Sequence, residues 1–100
     1  MAANPTDPFY NYPYWMGTPA RNGGAVTPAD DADLDVYAKA LYIGTAGDLT
    51  VTLTNMADET SVTFVDHPAG YAPLQVKRVW DTGTDADDIV ALYDYGDITP

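Results

Sequence analysis

The chain reads as all-β: a small antiparallel β-sandwich or barrel-like domain carrying an extended N-terminal arm. Three observations predict this. From Lys39 onward, apolar side chains alternate with polar ones at period two, the repeat of a half-buried strand. The clusters GTAG, NMADE, HPAGYA and DTGTDAD interrupt that alternation at short intervals, and strands joined by such turns favour a meander or a small sandwich. Pro5, Pro8, Pro13, Pro19 and Pro28 crowd the first 29 residues; each lacks an amide proton and restricts its predecessor, which disfavours a long helix. The division that follows is an arm over 1–29 and a β-domain over 30–100.

Between its prolines the arm carries Phe9, Tyr10, Tyr12, Tyr14 and Trp15. A flexible linker is normally poor in aromatics, whereas large rings with polar edges suit contact surfaces. Either the arm folds back over its own β-domain or it docks on a neighbouring subunit. From Thr27 to Leu41 the signals conflict. Thr27, Pro28 and Asp30 resemble a helix cap, with Leu34, Tyr37, Ala38 and Leu41 at helical spacing, but Val36 and Tyr37 favour strands. The expectation is an acidic loop with a helical turn, then a strand from about Lys39.

The strands are plainer. Leu49, Val51 and Leu53 alternate with Thr50, Thr52 and Thr54, and Val62 and Phe64 flank Thr63. Leu74 and Val76 alternate with Gln75 and Lys77, then Val79 and Trp80 break the phase, as at a bulge or in a strand with apolar contacts on both sides. Ile89 to Tyr93 is nearly all apolar, which fits a central strand.

One hundred residues and 46% hydrophobic content support one small folded domain. The net charge of −11, with only four Lys and Arg, repels phosphate backbones and anionic membranes. Neither nucleic acid nor membrane is expected as a partner. There is no cysteine, which removes disulfides, thiolate nucleophiles and cysteine zinc sites and leaves the redox compartment open. MAANPTDPFYNYP has neither a basic region nor an apolar run, so no signal peptide is read and synthesis in the cytoplasm is expected.

Candidates for chemistry are sparse. Ser61 and His67 are the single serine and histidine; Ser61 lies in a strand pattern without a glycine-flanked elbow, and His67 precedes Pro68 in a turn. Asp30, Asp31, Asp33 and Asp35 form one acidic run, and Asp81, Asp85, Asp87 and Asp88 another. Neither has the EF-hand order, and aspartates in loops commonly bind their own backbone. A glycosidase would need a deep cleft that a domain this small has little material to build. No glycine-rich run precedes Lys-Ser or Lys-Thr. No catalytic residue, metal or cofactor is expected. Lys77 and Arg78 form the one local basic pair, bridging to neighbours or standing as solvated edge charges.

The words ALYIG, GD-TVTL, VTF, PAG, LQVKRV, TGT and IVALY occur in that order between Ala40 and Tyr93. This ordered set resembles the head-spike base proteins of gene transfer agents and related tailed phages, whose members read roughly ALYVG, GD-TVTL, VTF, PAG, LP-RVRRV, TGT, IVALY. The match covers about half of the chain. The resemblance implies a virion structural protein on the outer capsid surface that anchors a fibre, with the major capsid protein and a spike fibre as partners, in a pentamer. It also implies a strand at ALYIG and cations at the position of Lys77 and Arg78. Independently, a β-domain this small without disulfides is marginal alone, so burial against copies would stabilise it. The candidate partner-binding residues are Phe9, Tyr10, Tyr12, Tyr14, Trp15, Lys77, Arg78 and Trp80. The competing readings are a capsid cement protein stabilising the lattice and a carbohydrate-binding module stacking sugars on Trp80 and the tyrosines.

Overall fold

The computed structural model describes residues 18–94. The candidate partner residues Phe9, Tyr10, Tyr12, Tyr14 and Trp15 lie outside them. Seven strands occur in the described part: β1 (Asn22–Ala25), β2 (Ala40–Thr45), β3 (Gly47–Leu53), β4 (Val62–His67), β5 (Gly70–Ala72), β6 (Val76–Val79) and β7 (Asp87–Tyr93). They form two antiparallel sheets, the first in the order β1-β7-β2-β5 and the second in the order β4-β3-β6. No helix occurs among the described residues.

The period-two alternation builds the core. Leu41, Ile43, Ala72, Ile89 and Ala91 from the first sheet meet Leu49, Val51, Val76 and Val79 from the second, all buried. Each large side chain so buried contributes about 1.5–3 kcal/mol. Only Ala46 separates β2 from β3, so the chain changes sheets at one corner. Gly47 makes the corner possible. A Cβ there would lie 2.8 Å from the Ala86 amide nitrogen and 2.9 Å from the Asp85 carbonyl carbon. Without one, the Asp48 carbonyl accepts from the amides of Asp85 (2.8 Å) and Ala86 (3.1 Å), which brings in the approach to β7.

The phase break after Lys77 has both of its expected forms. The β3–β6 register shifts between Thr52 and Leu53, and all four residues of β6 are buried, so this strand is covered on both faces. Residues 29–38 run along its outer edge. The Val79, Lys77 and Val76 carbonyls accept from the amides of Ala29, Leu34 and Ala38 at 2.8–2.9 Å, and Val76 donates back to the Ala38 carbonyl. The edge is thereby closed by an irregular, acidic segment.

This arrangement corrects the expected helical turn. A turn of helix would have kept these amides for its own carbonyls and left those of β6 without donors. The strand at ALYIG begins at Ala40, one residue from the expected start. Two short strands were not expected. Residues 22–25, in the stretch read as arm, pair with β7; NGGA has too few side chains to show a period. Residues 70–72, read as turn, pair with β2, and the 68–69 connection carries the chain from the second sheet back to the first.

Candidate interaction site around β6 and the outer face of the first sheet

Lys77 and Arg78 are adjacent on a buried strand, and both reach carboxylates within the chain. The Lys77 ammonium donates to Asp58 at 2.6 Å and to the Met56 carbonyl at 3.0 Å. The Arg78 guanidinium donates to Asp33 at 2.8 Å, to the Asp30 carbonyl at 3.0 Å and to Glu59 at 3.2 Å. Each residue is only 8% exposed, so neither is a solvated edge charge. Together they fasten the 56–59 turn and the 30–33 segment to β6. The Lys77 hydrogen bond holds the Asp58 carboxyl below its usual range, and the same bond raises the Lys77 ammonium against the opposing effect of burial. Burial works to lower Arg78, but Asp33 and Glu59 outweigh it and raise the guanidinium.

Trp80 is half-buried at the end of this strand. Its Nε1 donates to Thr52 Oγ1 at 2.9 Å, and Arg78 lies over its ring with the guanidinium carbon 5.0 Å from the centroid. Thr52 in turn donates to the Thr60 carbonyl. The indole is thus tied down at its polar edge and covered on one face by a cation.

The TGT turn locks onto the same side of the second sheet. The Asp30 carboxylate accepts from the amides of Asp81 and Thr82 and from the Thr82 hydroxyl. These bonds, the Thr82 hydroxyl foremost, hold the Asp30 carboxyl below its usual value. Thr84 Oγ1 accepts from the Thr50 amide at 3.0 Å, and Thr50 Oγ1 donates to the Gly83 carbonyl. Gly83 has φ +92°, and a Cβ there would lie 2.6 Å from Thr50 Oγ1, so the turn needs a glycine for both conformation and space.

Other carboxylates also serve the fold. Asp48 accepts from the Asp66 amide, Asp88 from the Thr45 hydroxyl, and Asp94 pairs with Lys39 at 3.0 Å. Among the described residues no group of three or more His, Asp or Glu side chains is placed to hold a metal ion. Ser61 immediately precedes β4 and His67 ends it, about 20 Å apart along an extended chain, with the imidazole Nδ1 2.8 Å from the Pro68 carbonyl. They form no dyad.

The structure also presents a surface that the sequence reading missed. Tyr42 and Tyr71 are directly paired across β2 and β5 on the outer face of the first sheet, 48% and 67% exposed. Val90 and Leu92 of β7 share that face. The signal was present in ALYIG and IVALY, which are apolar at both parities of the strand repeat. Beside this face, Thr18, Pro19 and Ala20 line a groove of about 420 Å³ with Lys39, Ala40, Tyr71 and Leu92.

No protein-family model and no curated protein matches the chain. Among solved structures it is similar to a chain in the capsid of a native GTA particle computed with C5 symmetry. The two are 28% identical with a TM-score of 0.74, over 86% of this chain and 98% of that one.

Proposed function

We propose that this chain is a virion structural protein of the outer capsid surface, the base of a head spike that joins the major capsid protein to a fibre. One observation carries the reading: the similarity to a chain of a GTA capsid extends over 86% of this chain and 98% of that one. The ordered words of the sequence agree with it, and several of them now have physical roles. GD supplies the corner glycine and the Asp48 contacts to 66, 85 and 86. TGT supplies the lock on Thr50 and Asp30.

The work is mechanical rather than catalytic. Ion pairs anchored on the buried cations of β6, together with closed turns, tie the loops of a short chain to its sheets, and the block transmits load between the capsid and a fibre. The C5 symmetry imposed on the neighbour's particle supports a pentamer at a capsid vertex. The decisive experiment is a cryo-EM reconstruction of purified particles with this protein labelled. Density confined to vertices supports the spike base. Density on every capsomer would make it a cement protein, and absence from particles would defeat both readings.

A further inference from the structure

β1 begins Asn22-Gly23-Gly24, and Asn22 is the single asparagine of the chain that a glycine follows. The side-chain carbon Cγ of an asparagine is open to attack by the backbone nitrogen of the next residue, which closes a five-membered ring. A side chain on that next residue crowds the attack, and glycine has none. Asn22 and Gly23 are both exposed, and β1 is an edge strand of its sheet. The Val26 amide donates to the Ile89 carbonyl, and the register from 22 to 25 continues that pair without a shift. Bonded pairs alternate along an antiparallel ladder, so Asn22 and Gly24 bond to β7 while Gly23 turns its amide to the open edge. There the Gly23 amide donates to the Asn22 side-chain oxygen at 2.8 Å. The Asn22 carboxamide is thus folded back onto the one nitrogen able to attack it. Asn55 shows the contrast. It is also exposed, but the amide that follows it, Met56, donates away to the Leu53 carbonyl at 3.0 Å.

We infer that Asn22–Gly23 is a self-modification site of the folded protein, where a succinimide forms and then opens with water to isoaspartate or aspartate. The Gly23 nitrogen gives its proton to solvent base and bonds to Asn22 Cγ. The bond from Cγ to the side-chain nitrogen breaks, and that nitrogen leaves as ammonia after taking up a proton. Water then cleaves one of the two ring bonds to the Gly23 nitrogen. Cleavage at Cγ leaves aspartate; cleavage at the backbone carbonyl carbon leaves isoaspartate, whose main chain runs through Cβ and Cγ. Nothing is oxidised or reduced, and water is the only other reactant. Packing accounts for the glycine. A Cβ at Gly23 would lie 3.1 Å from the Ala91 carbonyl oxygen, so the residue that fits closely against β7 is also the one that leaves Asn22 open to attack.

The product differs from the parent in two ways. It carries one more carboxylate in a chain already at −11, and its isoaspartyl form has an additional main-chain carbon at the first residue of β1. The Asn22–Tyr93 pair cannot keep its spacing across that longer link, whereas the Gly24–Ala91 pair lies beyond it. The altered link joins β1 to everything before it in the chain, so the modification changes how that preceding segment leaves the sheet.

The test holds full-length folded protein at mildly alkaline pH and follows each asparagine by peptide mapping and mass spectrometry, with isoaspartate read by enzymatic methylation. A parallel Asn22→Gln chain keeps the carboxamide but requires a larger, slower-forming ring. Asn22 is expected to convert about tenfold faster than Asn55, a barrier difference of about 1.4 kcal/mol, and faster still as pH rises. The isoaspartate signal should be lost from the Asn22→Gln chain. Converted protein is separated by anion exchange through its extra charge. In its isoaspartyl form the Tyr93 amide should exchange with deuterium faster than in fresh protein, with the Ala91 amide unchanged. Conversion of Asn22 only after unfolding in urea would show that the strand blocks the attack and overturn the proposal. Equal rates at Asn22 and Asn55, or an isoaspartate signal that persists in the Asn22→Gln chain, would overturn it as well. Unaltered exchange at Tyr93 would overturn the loss of pairing.

Discussion

At the scale of single residues, the fold depends on small contacts that tolerate little change. Gly83→Ala places a methyl 2.6 Å from Thr50 Oγ1 at φ +92°. The expected cost is about 3 kcal/mol, from strain in the left-handed region together with the displaced threonine; urea unfolding at neutral pH measures it. Asp30 and Asp58 both have carboxyls held below 3.8 in the folded chain. Groups of this kind stabilise the fold above their unfolded value and lose that contribution as pH falls through the folded one. Stability is therefore expected to decline below about pH 3.8, and Asp30→Asn should flatten the decline in melts taken from pH 7 to pH 2. An unchanged slope would show that the TGT lock does not report on acid stability. Ser61→Ala and His67→Ala are expected to leave folding and particle incorporation intact, since a strand's length separates them. A large loss of function in a folded variant would count against a non-enzymatic role.

At the scale of elements, what was legible in the sequence depended on side-chain pattern. β3 and β7 were readable because Leu49, Val51, Ile89 and Ala91 mark a buried face directly. The anomaly at Val79 and Trp80 was readable as a broken phase, and the bulge opposite Thr52 together with burial on both faces of β6 accounts for it. β1 left no trace because Gly23 and Gly24 have no side chains to alternate, and β5 is too short to show a period. Residues 29–38 misled for a different reason. Their helical spacing was real, but amides of this segment are claimed by β6, a partner 38 to 50 residues away in sequence that no local pattern reveals. Lys77, Arg78 and Trp80 were singled out as candidate partner contacts, yet the sequence could not show that acids from two separate segments converge on Lys77 and Arg78. The arm is a matter for experiment. Deleting residues 1–16 stops short of β1, so circular dichroism and melting should remain those of the full chain. Five aromatics seated on a receptor would be worth several kcal/mol before ordering costs, so incorporation into particles is expected to fall. Normal copy number in the truncated protein would show the arm to be dispensable.

At the scale of the whole molecule, the order of the strands sets when the fold can exist. β7 is the last strand among the described residues but sits between β1 and β2 in the first sheet. It supplies Ile89 and Ala91 to the core and Val90 and Leu92 to the outer face. A chain ended after Asp85 leaves β1 with no neighbour and β2 with only the short β5, and it is expected to give no cooperative melt. Full-length protein should show a single transition. Partial folding of the shorter chain, seen as protected amides in β2, would contradict this. The placement of β7 thus makes closure of the first sheet wait for the last described strand. A chain whose synthesis has not yet reached β7 lacks Ile89 and Ala91 in the core and Val90 and Leu92 on the outer face. Products terminated before β7 are expected to fail by the same geometry, because the middle of the first sheet is filled only by a strand made after all the others described.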